Sequence, residues 1–173
     1  MPQEIEIKLA LEKPERLRSE LERHGARCVG PRIEEDNLLL DGPAGSLKRS
    51  GSALRLRRVG QRAILTYKGP KQFAAGVGRR EEHEVEVGDA EAALELLAAL
   101  GLKPVWRYRK WRETWRLDDV LVLIDETRAG FFVEIEGPEQ SVRSTATALG
   151  FDDSKGIERS YASLIGEPFA ARL

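Results

Sequence analysis

The sequence predicts an antiparallel α+β domain, and three observations carry that prediction. Extended segments in which apolar and charged residues alternate dominate the 173-residue chain. Short turns join most of these segments to their neighbours, which suits antiparallel pairing rather than crossover connections. Helical patterns are few and do not alternate one for one with the strands, as they would in a doubly wound sheet. No linker-like change of composition and no solenoid-length repeat divides residues 1–173, so the chain is expected to form one domain.

The elements follow in order. Glu4, Glu6 and Lys8 alternate with Ile5, Ile7 and Leu9, giving a strand with one ionic and one apolar face. Residues 13–26 read as a helix, with Leu17 and Leu21 at helical spacing, Pro14 near its start and Gly25 to stop it. Residues 33–41 are extended and 42–46 (GPAGS) a loop. The segments 52–60 and 62–69 form a hairpin about Gly60–Gln61. Residues 71–78 (KQFAAGVG) read as a flexible connection. Strand 79–87 leads to a helix over 89–101, capped by Asp89 and stopped by Gly101. Strands at 104–117, 119–126 and 131–136 follow. Pro138 precedes a helix near 141–149 that ends at Gly150, and a last helix covers 156–165.

Composition excludes several function classes. Charged residues make up 33 % of the chain and aromatics 6 %, yet the formal net charge is −1. The two signs nearly cancel, so no basic field points to nucleic acid or a membrane surface as partner. Cys28 is the single cysteine, which rules out an intrachain disulfide and suits a reducing compartment. With only His24 and His83 beside it, a zinc site is not expected. No apolar run reaches membrane-spanning length and the first residues lack a signal-peptide pattern, so a cytoplasmic location is expected.

The charges fall on particular faces. An acid-x-acid pattern at Glu4–Glu6 recurs at Glu82–Glu84, where Glu86 continues the face, and at Glu134–Glu136. A base-x-base pattern occurs at Arg55–Arg57 and Lys110–Arg112, with single charges at Lys68 and Asp125. Alternate positions are mostly large and apolar. A sandwich would turn the apolar faces inward and leave the charges outside. A closed barrel would do the reverse, holding both charge signs in its lumen under outward apolar faces and helices. Such a lumen suits a ligand that needs both signs. Phosphate oxygens take Arg forks and Lys ammonium groups, and a divalent metal takes several carboxylate oxygens. Hard oxygen donors select Mg²⁺ or Mn²⁺.

EIEIK is similar to the ExExK signature of the CYTH superfamily, the triphosphate tunnel metalloenzymes. The resemblance extends through ALRLR, LTYKG, RREEHE, KWR, LIDE…GFFVEIE and RSYASLIGE, and so covers nearly the whole chain. That group includes class IV adenylate cyclases, thiamine triphosphatases, inorganic triphosphatases and the fungal type of RNA triphosphatase. It implies an eight-stranded antiparallel β-barrel, a triphosphate tunnel with helices packed outside. The resemblance makes Glu4, Glu6, Glu134 and Glu136 metal ligands, joined by Asp125, Glu82 and Glu84 through water or by holding the bases. Lys8, Arg55, Arg57, Lys68, Lys110 and Arg112 are implied phosphate contacts, and Arg80 fits the family's R-x-E-x-E position beside Arg79. Catalysis is expected to rest on Glu4, Glu6, Lys8, Lys110 and Arg112.

The implied reaction is hydrolysis of a triphosphate by water, dependent on Mg²⁺ or Mn²⁺. Two rivals stand beside it: a cyclase that makes cyclic AMP and pyrophosphate from ATP, and a non-catalytic polyphosphate-binding module. Residues 33–41 (IEEDNLLLD) lack the aromatic Gln-x-Asp-x-Tyr-Phe type of segment of the cyclase pattern, and intact acidic pairs disfavour mere binding. The expected partner is a small-molecule triphosphate, without nucleic acid or membrane, and a homodimer stays open. His83 falls on the opposite parity from Glu82 and Glu84, which predicts an outer role. Trp106, Trp111 and Trp115 could suggest base stacking, but Trp111 alternates with Lys110 and Arg112 and is predicted to face outward, as core under a helix. No G-x-x-x-x-G-K-[ST] is present, which excludes a P-loop. Arg159 either closes a tunnel mouth or is solvated.

Overall fold

Alternation along the strands becomes closure of a sheet. The computed structural model describes residues 3–169. Its strands are β1 (Gln3–Leu11), β2 (Arg27–Asp41), β3 (Ala53–Val59), β4 (Arg62–Lys68), β5 (Gln72–Ala74), β6 (Val77–Val87), β7 (Lys103–Leu117), β8 (Val120–Thr127), β9 (Gly130–Glu136) and the short β10 (Glu167–Pro168). The run β1-β9-β8-β7-β2-β3-β4-β6 returns to β1, because β1 pairs with β9 along one edge and with β6 along the other. Every pairing is antiparallel, so these eight strands form the closed barrel that the resemblance implied, and β5 and β10 are short additions to β6 and β7.

The apolar faces point outward under helices. α1 (Pro14–Arg23) and α4 (Glu139–Ala148) cover β1, β8 and β9, where Leu17, Leu21, Val142 and Ala146 pack with Ile7, Leu9, Val122, Val133 and Ile135. α3 (Ala90–Ala99) and α2 (Ser46–Arg49) cover β2, β3 and β4 through Leu97, Leu94 and Leu47 on Leu38, Leu40, Leu54 and Leu56. Each fully buried aliphatic side chain of this kind contributes about 1.5–3 kcal/mol. Coverage is incomplete on β6, where Val85 is 57 % exposed. Asp89 caps α3 by accepting from the amides of Glu91 and Ala92, as its sequence position suggested.

Several boundaries differ from the sequence reading, each for a local reason. Residues 71–78 are no flexible connection: β5 and β6 form a hairpin whose turn places Ala75 and Gly76 at positive φ. β2 starts at Arg27 rather than 33, because irregular register at Gly30 and before Ile33 breaks the alternation that marks a strand. Residues 42–46 hold a 3-10 turn at Pro43–Gly45 that runs into α2. The last helix, α5, spans only Tyr161–Ile165. Ahead of it Gly156 is extended and lies against the backbone of Gly76, and the Ile157 amide donates to the Lys8 carbonyl. That contact ties the segment to β1 instead of letting it coil.

Aromatic placement also departs in part from expectation. Trp115 is core, packed with the α1 side of the barrel. Trp111 does face outward, but it is half-buried rather than core, and the Arg32 guanidinium lies over its ring at 5.1 Å. Trp106 shares the inward parity of Lys110 and lines the cavity opposite Leu39. His83 is outside the lumen as predicted, stacked with Tyr67 and 2.7 Å from Glu81.

Candidate active site: a charged lumen

Register brings the acids together first. Glu6 and Glu136 are direct partners on β1 and β9, and Glu4 lies two residues along the same face of β1. Carboxylate oxygens of Glu4, Glu6 and Glu136 lie within 4.8 Å of one another. Burial raises the Glu136 carboxyl, Arg112 opposes it, and Glu134, Glu6 and Glu4 add to the rise, so it stands at about 8. A carboxylate pushed upward by burial and like charge is one that a cation would stabilise. Burial also raises Glu4, but Lys68 and Arg80 outweigh it and hold that carboxyl at about 2. Three hard oxygen donors, with no His or Cys among them, fit Mg²⁺ or Mn²⁺.

The bases line the same cavity, which also touches Glu4, Glu6, Glu82, Glu84, Glu134 and Glu136. Most are already paired. The Lys8 ammonium is 3.1 Å from Glu134, and the Lys68 ammonium donates to Glu4 and Glu82, each at 2.8 Å. Arg80 donates to Glu4 at 2.6 Å. Arg57 bridges Glu35 at 3.3 Å and Glu84 at 3.2 Å. Arg55 donates to Thr66 at 3.4 Å and lies beside the Tyr108 hydroxyl, and among the described residues no acid bridges it.

Asp125 organises the most buried part. Its Oδ2 accepts from Lys110 at 2.9 Å, Arg112 at 2.6 Å and the Tyr161 hydroxyl at 2.6 Å, while Oδ1 accepts from Arg112 Nε at 2.7 Å. Arg112 also bridges Glu134. Burial would raise Glu134, but Lys8, Arg112 and Lys110 hold it well below the usual carboxylate range. The Lys8 and Lys110 ammonium groups stand 4.3 and 4.4 Å from the Tyr161 ring centre. α5 thereby seats Tyr161 and Ile165 against Tyr108 and Phe132 inside the barrel, so that part of the lumen is apolar.

Most of the acids and bases singled out in the sequence therefore share one lumen, where they fall into groups; Glu86, which continues the Glu82–Glu84 face, is instead exposed and paired with Arg62. Glu4, Glu6 and Glu136 form the acidic triad. Glu134 and Asp125 are occupied by Lys8, Lys110 and Arg112, and Glu82 and Glu84 hold Lys68 and Arg57. Arg79 points away to Glu139 on α4, which leaves Arg80 as the inward arginine of that pair. Arg159 is exposed and donates to the Ser163 carbonyl; the contact with the lumen is made by Tyr161 and by the Arg159 carbonyl, which accepts from Lys8 at 3.3 Å. Sequence reasoning missed Glu35, Tyr161 and Lys71. Glu35 had a signal, being on the parity of Asn37 and Leu39, but Glu34 and Asp36 beside it hid the pattern.

The family model described as the CYTH domain matches residues 2–161. A Methanocaldococcus jannaschii protein named "Putative adenylate cyclase" is 31 % identical over 174 residues, covering 94 % of this chain and 98 % of its own. The solved structure of the PH1012 protein of Pyrococcus horikoshii superposes with a TM-score of 0.79 at 26 % identity, over 94 % of this chain and 99 % of that one. A Hippeastrum protein, described as a "Putative adenylyl cyclase" that reveals a dominant triphosphatase activity, has a TM-score of 0.66 at 22 % identity over 86 % of this chain and 88 % of its own, a likeness of fold.

Proposed function

The chain belongs to the CYTH domain family, and from that premise we propose that it hydrolyses a triphosphate in its lumen, with inorganic tripolyphosphate preferred over nucleoside triphosphates. The observation that carries this reading is the Glu4–Glu6–Glu136 triad within 4.8 Å, set in one cavity with Lys8, Arg55, Arg57, Lys68, Lys110 and Arg112. Glu4 and Glu6 also hold Lys68, Arg80 and Lys71, but among the described residues no base bridges Glu136, and a carboxyl left in that position beside two others suits a metal that rides with the phosphates.

Glu4, Glu6 and Glu136 would hold Mg²⁺ or Mn²⁺, which when bound supplies Lewis-acid charge for the phosphate oxygens. The bases position the chain for in-line attack by water at the terminal phosphorus and offset the charge that develops on its oxygens. Asp125 and Glu134 hold Lys8, Lys110 and Arg112 in place, so these donors need no reorganisation when substrate enters. No nucleophilic side chain is needed, since phosphoryl transfer to water rests on positioning and charge.

A second reading is the cyclase, in which a ribose hydroxyl replaces water. Two observations favour it: the name of the 31 % identical relative, and Trp106, which supplies an aromatic ring opposite Leu39 that residues 33–41 themselves lack. The test is one assay of tripolyphosphate, thiamine triphosphate and ATP with Mg²⁺ or Mn²⁺, measuring phosphate and cyclic AMP together. Tripolyphosphate turnover above that of ATP, abolished by a chelator, supports hydrolysis. Cyclic AMP as the main product from ATP, with tripolyphosphate untouched, establishes the cyclase instead.

A further inference from the structure

Lys71 lies outside every sequence motif of the site, yet its ammonium enters the acidic triad. It donates to Glu6 Oε1 at 2.9 Å and to the Glu158 carbonyl at 3.4 Å, and stands 5.7 Å from the Phe73 ring centre. Its side chain is 17 % exposed and lines the same cavity as Arg80 and Lys8. The route it takes is built into the strand beneath. Gly78 is the register partner of Glu6 on β1 and of Phe73 on β5. A Cβ at Gly78 would overlap the Lys71 side chain, to which the three nearest atoms all belong, and the φ of Gly78 is not positive. The backbone there does not require glycine; the passage of Lys71 does.

A divalent cation and an ammonium cannot both use Glu6 at close range, since like charges a few ångströms apart repel by several kcal/mol even at an effective dielectric of about 20. We propose that Lys71 is a further triphosphate-binding residue, stored on Glu6 in the free protein and transferred to a phosphate oxygen when a divalent cation takes Glu6. The inference rests on the metal-dependent reading above. Its long stem turns from Glu6 toward the cavity without backbone movement, and the phosphate chain supplies the anion that replaces Glu6 as its partner. Lys71 thus opposes metal entering alone and favours metal entering with phosphate.

The test uses the full chain with Lys71→Met and Gly78→Ala. The first removes the ammonium and keeps the stem; the second obstructs the route to Glu6 and keeps the ammonium. Mn²⁺ alone is titrated calorimetrically, and the KM for tripolyphosphate is measured at saturating Mn²⁺. Both variants are expected to bind Mn²⁺ alone about tenfold tighter than the unaltered protein. Lys71→Met is expected to raise KM about tenfold, while Gly78→Ala leaves it near normal because the ammonium still reaches the phosphate. Unchanged or weaker Mn²⁺ binding in both variants overturns the stored-cation role. Tighter Mn²⁺ binding with unchanged KM in Lys71→Met overturns the transfer to phosphate. Absence of Mn²⁺ binding by the unaltered protein overturns the metal-dependent reading itself, and the inference with it.

Discussion

Replacing Glu35 by Gln tests how the empty lumen tolerates its bases. The Glu35 side chain is 5 % exposed, with Arg57 at 3.3 Å and Lys110 at 3.6 Å. Burial alone would raise its carboxyl, but Arg112, Lys110, Arg57 and Arg55 outweigh burial and hold it at about 2, against an ordinary 4.5. A depression of that size is worth about 3 kcal/mol of folding stability at neutral pH. Because the folded value lies below the unfolded one, this stability is fully present above pH about 4.5 and is lost as pH falls toward about 2. Urea unfolding of both proteins from pH 7 to pH 3 reads it directly. The stability gap should be about 3 kcal/mol at pH 7 and less than half of that at pH 3. Tripolyphosphate should narrow the gap at pH 7, since the ligand then neutralises the same bases. A gap that is absent at pH 7, or constant across the range, refutes the electrostatic role of Glu35.

Other variants separate stability from function. Glu136→Gln keeps the shape of the triad but not its charge, so Mn²⁺ affinity should fall at least about tenfold by calorimetry, with no loss of thermal stability in the metal-free protein. Arg55→Ala removes the lumen base that no described acid bridges; its melting temperature should hold while kcat/KM falls by about 2–4 kcal/mol of transition-state stabilisation. Lys110→Ala should differ. Crowding of like charge in the lumen would suggest that its loss is harmless, but its ammonium is 1 % exposed and paired with Asp125, so about 3 kcal/mol of stability should be lost in denaturant titrations as well.

Much of this architecture was legible because one rule governs a whole strand. Once Ile5, Ile7 and Leu9 are assigned outward, Glu4, Glu6 and Lys8 must face inward, and the same parity places Arg55, Arg57, Lys110, Arg112, Glu134 and Glu136. What parity cannot supply is partnership across the lumen. That Glu136 joins Glu4 and Glu6 while Glu134 turns to Lys8 and Arg112 depends on stagger between strands, which no single strand records. Lys71 was hidden for another reason. It precedes a three-residue strand in a glycine- and alanine-rich segment, and only the pairing of Gly78 with Glu6 brings it to the site. The apolar plug made by Tyr161 and Ile165 was likewise invisible, because the helix that carries it is five residues long and positioned by Gly156 and Ile157 rather than by its own periodicity.

Hydrolysis by water is the centre of the account, and solvent oxygen reports on it. The protein is incubated with tripolyphosphate, and separately with ATP, in ¹⁸O-enriched water with Mn²⁺, and the products are resolved by mass spectrometry. Attack at the terminal phosphorus places one solvent oxygen in each orthophosphate released, with turnover greatest on tripolyphosphate and little cyclic AMP from ATP. Formation of unlabelled pyrophosphate and cyclic AMP from ATP, with no labelled orthophosphate from tripolyphosphate, would contradict the account.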